Sequence, residues 1–221
     1  KDKKIGVVIV AGGSGSRMGA AVPKQFLRLG AEPILAHTLR RFIPFADHIV
    51  VVLPKEQMAL WHGIAEECNL LGSHTVCEGG ATRFHSVKRG LAALDKGCNV
   101  VAIHDGVRPL VSAEMIERGL SCAIEGGSAI PIIGAVDSFR IVTDGGLKVI
   151  DRNLLRAVQT PQIFDATLLR AAYQRDAEES FTDDATVVEA YGTTLCYYEG
   201  ERNNIKITTP DDLVVAEAIL D

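Results

Sequence analysis

The run Ile5-Gly6-Val7-Val8-Ile9-Val10 is followed directly by Ala11-Gly12-Gly13-Ser14-Gly15-Ser16-Arg17-Met18-Gly19. The first part is rich in β-branched residues and predicts a buried strand, and the second predicts a glycine-rich turn at the end of that strand. Glycine tolerates backbone conformations that other residues avoid, so the backbone N–H groups of such a turn can approach a ligand closely. The strand and the glycine-rich turn together therefore favour an α/β fold with a loop that can wrap a phosphate chain.

Apolar runs and helical patterns alternate along most of the remaining chain. Further strands are predicted at His48 to Leu53, Thr75 to Glu78, Val100 to His104, Ser128 to Ile133 and Thr194 to Tyr198. Helices are predicted around Leu35, Leu39, Phe42 and Ile43, at Lys55 to Asn69, after Arg83, and at Ser112 to Glu125, Asp165 to Asp176, Asp183 to Tyr191 and Pro210 to Leu220. Strands that are apolar on both faces need helices on both faces. We therefore predict a three-layer, Rossmann-like α/β fold with a mostly parallel sheet.

The alternation breaks between Val136 and Val158. Two strand patterns flank Thr143-Asp144-Gly145-Gly146, which is a hairpin signal, and no helical pattern lies between them. An isolated two-stranded ribbon is only marginally stable in water, so we expect it to pack against a second subunit. We predict that residues 1–221 form a single domain in which residues 137–158 are a protruding β-arm that joins a homodimer.

Composition narrows the class of protein. The chain has 221 residues and a formal net charge of -5, which argues against a nucleic-acid binder but allows a small anionic substrate that meets a few placed cations. The five cysteines form no Cys-x-x-Cys pair, so we expect reduced thiols and a cytoplasmic protein. No apolar run is long enough to predict a membrane span.

The glycine-rich turn fits neither of two familiar phosphate loops. The dinucleotide fingerprint requires glycine where this chain has Met18, and no register supplies the Gly-Lys-Ser/Thr of a P-loop. What remains is a turn with Arg17 inside it and Lys24 just beyond. Two cations beside a phosphate-binding turn suit phosphoryl or nucleotidyl transfer, although an ordinary turn with two solvated cations is the competing interpretation.

The segment from Val10 to Gly19, together with Pro23-Lys24-Gln25-Phe26-Leu27, resembles the signature of sugar-phosphate nucleotidyltransferases. Further motifs narrow the resemblance to the 2-C-methyl-D-erythritol 4-phosphate cytidylyltransferases of the non-mevalonate isoprenoid pathway. These motifs are Gly79-Gly80-Ala81-Thr82-Arg83 with Ser86, His104-Asp105-Gly106-Val107-Arg108-Pro109, Asp151-Arg152 with Gln159-Thr160-Pro161-Gln162, Phe181-Thr182-Asp183-Asp184-Ala185 and Asn204-Ile205-Lys206-Ile207-Thr208. They occur in family order and cover essentially the whole chain.

The resemblance implies an enzyme that joins the CMP part of CTP to 2-C-methyl-D-erythritol 4-phosphate and releases pyrophosphate, with Mg²⁺ or another divalent cation. It implies catalytic roles for Arg17, Lys24, Arg152 and Lys206. Nucleotide-binding residues would be Ala11, Gly12, Gly13, Ser14, Gly15, Gly79, Gly80, Arg83, Ser86 and Asp105. Residues for the sugar phosphate would be Asp105, Ser138, Arg152, Thr160, Thr182 and Lys206, with Ser138, Arg152 and Thr160 serving the partner subunit's site. Asp105 would also contact the metal, directly or through water.

Two features of the sequence qualify this resemblance. Some family members carry an acidic residue where this chain has Ala81, so a side-chain bond from that position to the cytosine amine is absent here. The sequence also offers no convincing general base, which suits a phosphate nucleophile because its second pKa is about 6. A ribitol 5-phosphate cytidylyltransferase and a non-catalytic nucleotide-binding module remain alternatives.

Overall fold

The computed structural model describes residues 3–12 and 22–220 of the chain. Its amino-terminal half is built on four parallel strands, β1 (Ile5–Val10), β4 (His48–Leu53), β5 (Thr75–Glu78) and β6 (Val100–Asp105). β1 lies between β4 and β6, and β4 also pairs with β5. The predicted strands of this half are confirmed. They form here because their uninterrupted apolar runs, such as Val7-Val8-Ile9, are buried on both faces of the sheet.

The second half of the sheet is mixed. It contains β7 (Ser128–Gly134), β10 (Arg156–Val158), β11 (Gln162–Asp165) and β12 (Tyr197–Glu199). β11 runs antiparallel between β6 and β7, β10 is antiparallel to β7, and β12 is parallel to β7. Together the two halves form one eight-stranded sheet.

Helices cover both faces of the sheet, as the sequence predicts. On one face, α1 (Ile34–Phe42), α2 (Met58–Glu67) and α4 (Ala113–Gly126) pack over inward residues such as Val7 and Val51. On the other face, α3 (Arg83–Ala93), α5 (Ala166–Ala172) and α6 (Asp184–Ala190) pack over Val8 and Val50. Because successive strand residues point to opposite faces, neighbouring valines enter different cores. The fold is therefore a three-layer α/β structure.

Smaller elements complete the described chain. The short strands β2 (Arg28–Leu29) and β3 (Glu32–Pro33) pair with each other, and α7 (Pro210–Leu220) adds Ala216 to a small cluster with Leu29 and Ile34. The predicted hairpin is present as β8 (Phe139–Thr143) and β9 (Gly146–Ile150), which form a two-stranded sheet of their own. None of the helices in the described ranges is long and apolar enough to cross a membrane.

Several predicted boundaries were wrong. The helix expected at Lys55 to Asn69 begins as a 3₁₀ turn at Lys55–Gln57 and becomes α-helical only over α2. The helix expected from Asp165 begins one residue later, as α5. Asp165 itself ends β11, and its carboxylate caps α5. Ile43, expected on the buried face of α1, is 38% exposed, since the helix ends at Phe42.

Candidate active site

A cavity of about 300 Å³ opens at the carboxyl ends of β1, β5 and β6. Among the described residues its wall includes predicted nucleotide-binding positions from each of these places: Ala11, Gly12, Gly80, Arg83, Ser86 and Asp105. Lys24 and Lys206 also line it. The carboxyl edge of parallel strands is where open α/β sheets bind ligands. The structure thus gathers residues that lie far apart in the sequence into one nucleotide-sized cavity.

The Gly79-Gly80 turn is held by the start of α3. The Ser86 hydroxyl accepts a hydrogen bond from the Gly80 N–H at 3.1 Å. Thr82 caps α3 by accepting from the His85 N–H at 3.4 Å. A Cβ atom on Gly80 would lie 2.3 Å from the Cβ of His85, so only glycine fits this close approach. These contacts present a rigid backbone edge to the cavity.

Lys24 and Gln25 lie in a 3₁₀ turn, Lys24–Phe26, beside the end of β1. Gln25 is fully buried and donates through Nε2 to the Ala11 carbonyl at 2.8 Å and to Gln57 Oε1 at 2.5 Å. This bridge fixes the end of β1 to the turn that carries Lys24. Gln25 was not predicted as a site residue, although it follows Lys24 in the motif that carries the resemblance.

Asp105 is the buried carboxylate at the end of β6, and three cations surround it. Its Oδ2 lies 3.1 Å from Lys206 Nζ and 3.2 Å from Arg108 Nε, and its Oδ1 lies 3.8 Å from Arg83 Nε. Burial by itself would raise the pKa of Asp105, but Arg83, Lys206 and Arg108 outweigh it and hold the pKa well below its ordinary value. Because three cations meet one carboxylate, this wall of the cavity favours anions.

A second cavity of about 230 Å³ lies beyond the same wall. Arg83, Asp105 and Lys206 line both cavities. The second cavity is completed by residues of the later motifs: Arg108, Val158, Gln159, Thr160, Gln162, Thr182 and Asp183. Predicted residues thus line both cavities, and Arg83, Asp105 and Lys206 are shared between them.

Thr160, predicted to serve the partner subunit's site, instead lines the second cavity of its own chain, where it is buried with its hydroxyl in use. Its Oγ1 accepts from the Asp105 N–H at 3.1 Å and lies 3.0 Å from His104 Nδ1. Burial lowers the pKa of His104 to about 4, so the imidazole is neutral at pH 7. His104 Nε2 lies 3.0 Å from the Arg108 carbonyl, so Nε2 carries the proton and the Thr160 hydroxyl donates to Nδ1. His104 therefore orients its neighbours.

Arg108 ties the end of β6 to a later segment. Besides its contact with Asp105, it donates through Nη1 to the Asn204 carbonyl at 2.8 Å. Asn204 is fully buried and donates to the Thr160 carbonyl at 2.8 Å. Lys206, two residues later, lies outside any strand. These bonds bring the Lys206 segment to the wall of the cavities.

The other predicted site residues lie elsewhere. Gly13, Ser14, Gly15 and Arg17 fall outside the described residues. Ser138 and Arg152 are exposed, and neither lines the two cavities in their own chain. Arg152 lies in a 3₁₀ turn after the hairpin and donates to the Val136 carbonyl at 2.6 Å.

The described residues contain no cluster of three or more His, Cys, Asp or Glu side chains that could enclose a metal ion. Asp105 is one carboxylate that lines both cavities; its Oδ2 contacts Lys206 and Arg108, whereas its Oδ1 lies 3.8 Å from Arg83 Nε. A single carboxylate fits Mg²⁺, which is typically held by one or two carboxylates, waters and the phosphates of a substrate. It does not suit an ion that needs a cage of protein ligands.

Known proteins similar to this chain share both its length and its fold. The family model for 2-C-methyl-D-erythritol 4-phosphate cytidylyltransferase (IspD) matches residues 5–221. The protein of that name from Bacteroides fragilis is 49% identical and covers 96% of this chain and 98% of its own length, and that from Bacteroides thetaiotaomicron is 46% identical, with 98% and 100% covered.

Solved structures agree with these relatives. The 4-diphosphocytidyl-2C-methyl-D-erythritol synthase of Anaerococcus prevotii has a TM-score of 0.85 and 30% identity, with 99% of this chain and 96% of that chain covered. The 2-C-methyl-D-erythritol 4-phosphate cytidylyltransferase of Thermus thermophilus has a TM-score of 0.78 and 33% identity, with 98% of each chain covered.

The three-layer fold, the cavity at the carboxyl edge and these relatives define an α/β nucleotidyltransferase. The match of the family model covers nearly all of the chain, and the two relatives match over 98% and 100% of their length. The chain belongs to the 2-C-methyl-D-erythritol 4-phosphate cytidylyltransferase family.

Proposed function

We propose that this chain converts CTP and 2-C-methyl-D-erythritol 4-phosphate into 4-diphosphocytidyl-2-C-methyl-D-erythritol and pyrophosphate. The observation that carries the proposal is the pair of cavities that share Arg83, Asp105 and Lys206. CTP occupies the larger cavity against the Gly79-Gly80 turn, and the sugar phosphate occupies the smaller one. The triphosphate of CTP and the phosphate of the sugar alcohol then meet at the wall between the cavities, which carries three cations.

The reaction is an in-line displacement at the α-phosphorus of CTP. A phosphate oxygen of the sugar alcohol forms the new O–P bond, while the bond from the α-phosphorus to the bridging oxygen breaks and pyrophosphate leaves with the electron pair. The nucleophile is largely deprotonated at neutral pH, since a phosphate monoester has a second pKa of about 6. Catalysis therefore depends on alignment and charge neutralisation more than on a general base.

Three cations have specific places in this scheme. Lys24 lines the CTP cavity and neutralises the triphosphate. Arg17 of the glycine-rich segment supplies a second positive charge for the triphosphate. Lys206 lines both cavities and positions the attacking phosphate. Ala11 and Gly12 at the end of β1, with Gly80 and Ser86, form the pocket for the nucleoside.

Mg²⁺ completes the charge balance of this proposal. Asp105 would hold the ion, directly or through water, beside the phosphates of CTP. Bound there, the ion would neutralise charge on the triphosphate. Treatment with a chelator should abolish pyrophosphate release, and added Mg²⁺ should restore it. Full turnover in excess chelator would remove the ion from the mechanism.

The hairpin of β8 and β9 supports the proposal of a homodimer. Its apolar side chains are exposed, Val142 at 80% and Val149 at 73%, and a two-stranded ribbon needs support. A second copy of the chain would cover them and would bring Arg152 and Ser138 to the partner's sugar-phosphate cavity. The free cysteines agree with a reducing compartment, and we propose the cytoplasm.

Pyrophosphate release measures the proposed function directly. CTP should be tested against UTP, ATP and GTP, each with methylerythritol phosphate and with ribitol 5-phosphate as the second substrate. We expect turnover with CTP and methylerythritol phosphate to exceed every other pairing. Preference for ribitol 5-phosphate would identify the nearer alternative, and binding of CTP without turnover would identify a non-catalytic module.

A further inference from the structure

Arg83 is fixed from behind by a carboxylate that does not line either cavity. Its Nη2 donates to Asp184 Oδ2 at 2.7 Å, while its Nε faces Asp105 Oδ1 at 3.8 Å. Asp184 is fully buried at the start of α6, whereas the Arg83 side chain is 27% exposed. The guanidinium therefore has an internal anchor on one side and the two cavities on the other.

Tyr173 binds the second carboxylate oxygen of Asp184, the residue that anchors Arg83. Its hydroxyl donates to Asp184 Oδ1 at 2.6 Å, and burial together with the Asp184 charge raises the pKa of Tyr173 well above its ordinary value, so the hydroxyl keeps its proton. The Tyr173 ring stacks on Phe84, with centroids 4.8 Å apart. Because Phe84 follows Arg83 in α3, the anchor and the arginine are packed as one unit.

The start of α6 is itself tied to the sheet. Gln162 of β11 accepts from the Ala185 N–H at 2.8 Å and donates to Asp183 Oδ2 at 3.0 Å. Asp183 closes a capping box with Thr186. These bonds fix Asp184 relative to β11, and β11 pairs with β6, which ends at Asp105. The distance between the two carboxylates that share Arg83 is thus set by the sheet.

We propose that Asp184 and Tyr173 are positioning residues, which hold the Arg83 guanidinium in the wall shared by the two cavities. The inference rests on the proposed function for its assignment of substrates. Without Asp184, the nearest carboxylate left to Arg83 is Asp105. Arg83 would then close on Asp105, compete there with Lys206, and withdraw its charge from both substrates.

Asp184→Asn keeps the shape of the side chain and removes its charge. We expect kcat/KM to fall by about a hundredfold, the scale of a misplaced positioning group, and the Kd for CTP to rise. Tyr173→Phe keeps the stacked ring and removes one hydrogen bond, so kcat/KM should fall by about tenfold. Val188→Ala is the matched control, because Val188 is buried in the same helix and does not contact Arg83, Asp105 or Asp184 by hydrogen bond or ion pair. It should lower stability and leave kcat/KM unchanged.

A double-mutant cycle separates positioning from simple stabilisation. Arg83→Met removes the cation and leaves Asp184 buried without its charge partner, so both kcat/KM and stability should fall. Adding Asp184→Asn to Arg83→Met should raise stability but leave kcat/KM at the level of Arg83→Met. A further loss of kcat/KM in that background, or a loss in Val188→Ala equal to that in Asp184→Asn, would overturn the inference.

The proposed function and this inference fail in different measurements. Wild-type protein that releases no pyrophosphate contradicts the proposed function. The inference is still tested by calorimetric titration with CTP, where Asp184→Asn and Tyr173→Phe should weaken binding and Val188→Ala should not. Equal CTP affinity in all four proteins contradicts the role of the anchor.

Discussion

Asp105 illustrates how a single buried carboxylate can organise a site for anions. Its charge is outweighed by Arg83, Arg108 and Lys206, so its effect is to hold cations in place. Lys206 differs from the two arginines because its side chain is 43% exposed, against 27% for Arg83 and 11% for Arg108. It is therefore the cation that can turn from Asp105 to an arriving phosphate.

Lys206→Met tests this role. The change removes a charge from both cavities and keeps most of the side-chain volume, so we expect kcat/KM to fall by about a hundredfold, as for the loss of one preorganised donor. The free energy of unfolding should fall moderately, because Asp105 is buried and loses one partner while Arg83 and Arg108 stay beside it. Lys96→Met, at an exposed lysine that lines neither cavity, is the control in the same pyrophosphate assay. Near-normal kcat/KM in Lys206→Met would contradict the assignment.

His104 gives the stability of the protein a defined dependence on pH. Its pKa is about 4 in the folded protein and about 6.5 in an unfolded chain. The folded state therefore binds fewer protons, so stability that is present above pH 6.5 is lost as the pH falls towards 4, by roughly 3 kcal/mol. Urea unfolding between pH 7 and pH 4 should show this loss.

The variant His104→Gln should have a flatter pH profile over the same interval. His62→Gln, at an exposed position of α2, is the control and should keep the wild-type slope. The lowered pKa of Asp105 enters only at the acid end of this window, below about pH 5, and acts alike in all three proteins. Burial also lowers the pKa of His74, which contributes equally to the slope in all three. Equal slopes for His104→Gln and wild-type protein would show that His104 is not the group that titrates.

At the scale of elements, the Gly79-Gly80 turn depends on a close contact between Gly80 and His85 that a side chain on Gly80 would prevent. In Gly80→Ala the new Cβ would lie 2.3 Å from the His85 Cβ and 2.9 Å from its carbonyl carbon, so the turn or the start of α3 must move. We expect the KM for CTP to rise by about tenfold or more, because small displacements of a binding edge are costly. Steady-state kinetics at saturating sugar phosphate measures it.

Gly63→Ala provides the matched glycine control. Gly63 lies inside α2, and an added Cβ there meets no atom within 4 Å. Alanine should stabilise the helix by about 0.5–1 kcal/mol without altering the KM for CTP. An unchanged KM in Gly80→Ala as well would mean that the turn does not face the nucleotide.

The elements that sequence predicts well are those whose pattern is local. β1, β4 and the hairpin of β8 and β9 follow from apolar runs and from Asp144-Gly145 alone. β11 was missed because Gln162-Ile163-Phe164-Asp165 is short and has polar ends. Only its position between β6 and β7 makes it a strand, and no local pattern carries that information.

The same distinction applies to the site. The glycine turn, Lys24, Asp105 and Lys206 are visible as motifs, and the structure brings the described ones together. Asp184 and Tyr173 were not predicted as site residues, because their bonds to each other and to Arg83 join α3, α5 and α6 across the fold. The signal available in the sequence was a second acidic residue, Asp184, directly after the expected helix cap Asp183.

At the scale of the whole molecule, the position of Arg152 makes a prediction about the assembly. If Arg152 serves the partner's sugar-phosphate cavity, Arg152→Ala should impair use of the sugar phosphate and leave CTP binding intact. Lys24→Ala should impair CTP binding. Mixing the two inactive variants, with subunit exchange, creates heterodimers in which one of the two sites has both wild-type residues. Pyrophosphate release should recover to about half of wild-type activity per heterodimer.

Two measurements decide this outcome. Sedimentation of wild-type protein should give the mass of a dimer, and differently tagged variants should co-purify after exchange. If the mixture remains inactive although heterodimers form, the hairpin does not act across subunits. A monomer with full activity would contradict the dimer as well.

The placement of β11 also dictates when the sheet can close during synthesis. β7 emerges from the ribosome before β11, yet in the sheet it lies beyond β11 and is joined to β6 through it. A nascent chain halted before Gln162 can assemble β1, β4, β5 and β6, but the outer edge of β6 stays bare and exposed strand edges invite aggregation. Apart from Lys206, the described wall of the CTP cavity is complete by Val107, whereas the second cavity awaits Val158 to Asp183 as well as Lys206. Translation thus completes most of the CTP cavity first. The nascent chain then depends on the later synthesis of β11, or on a chaperone, to cover the edge of β6 until the sheet is complete.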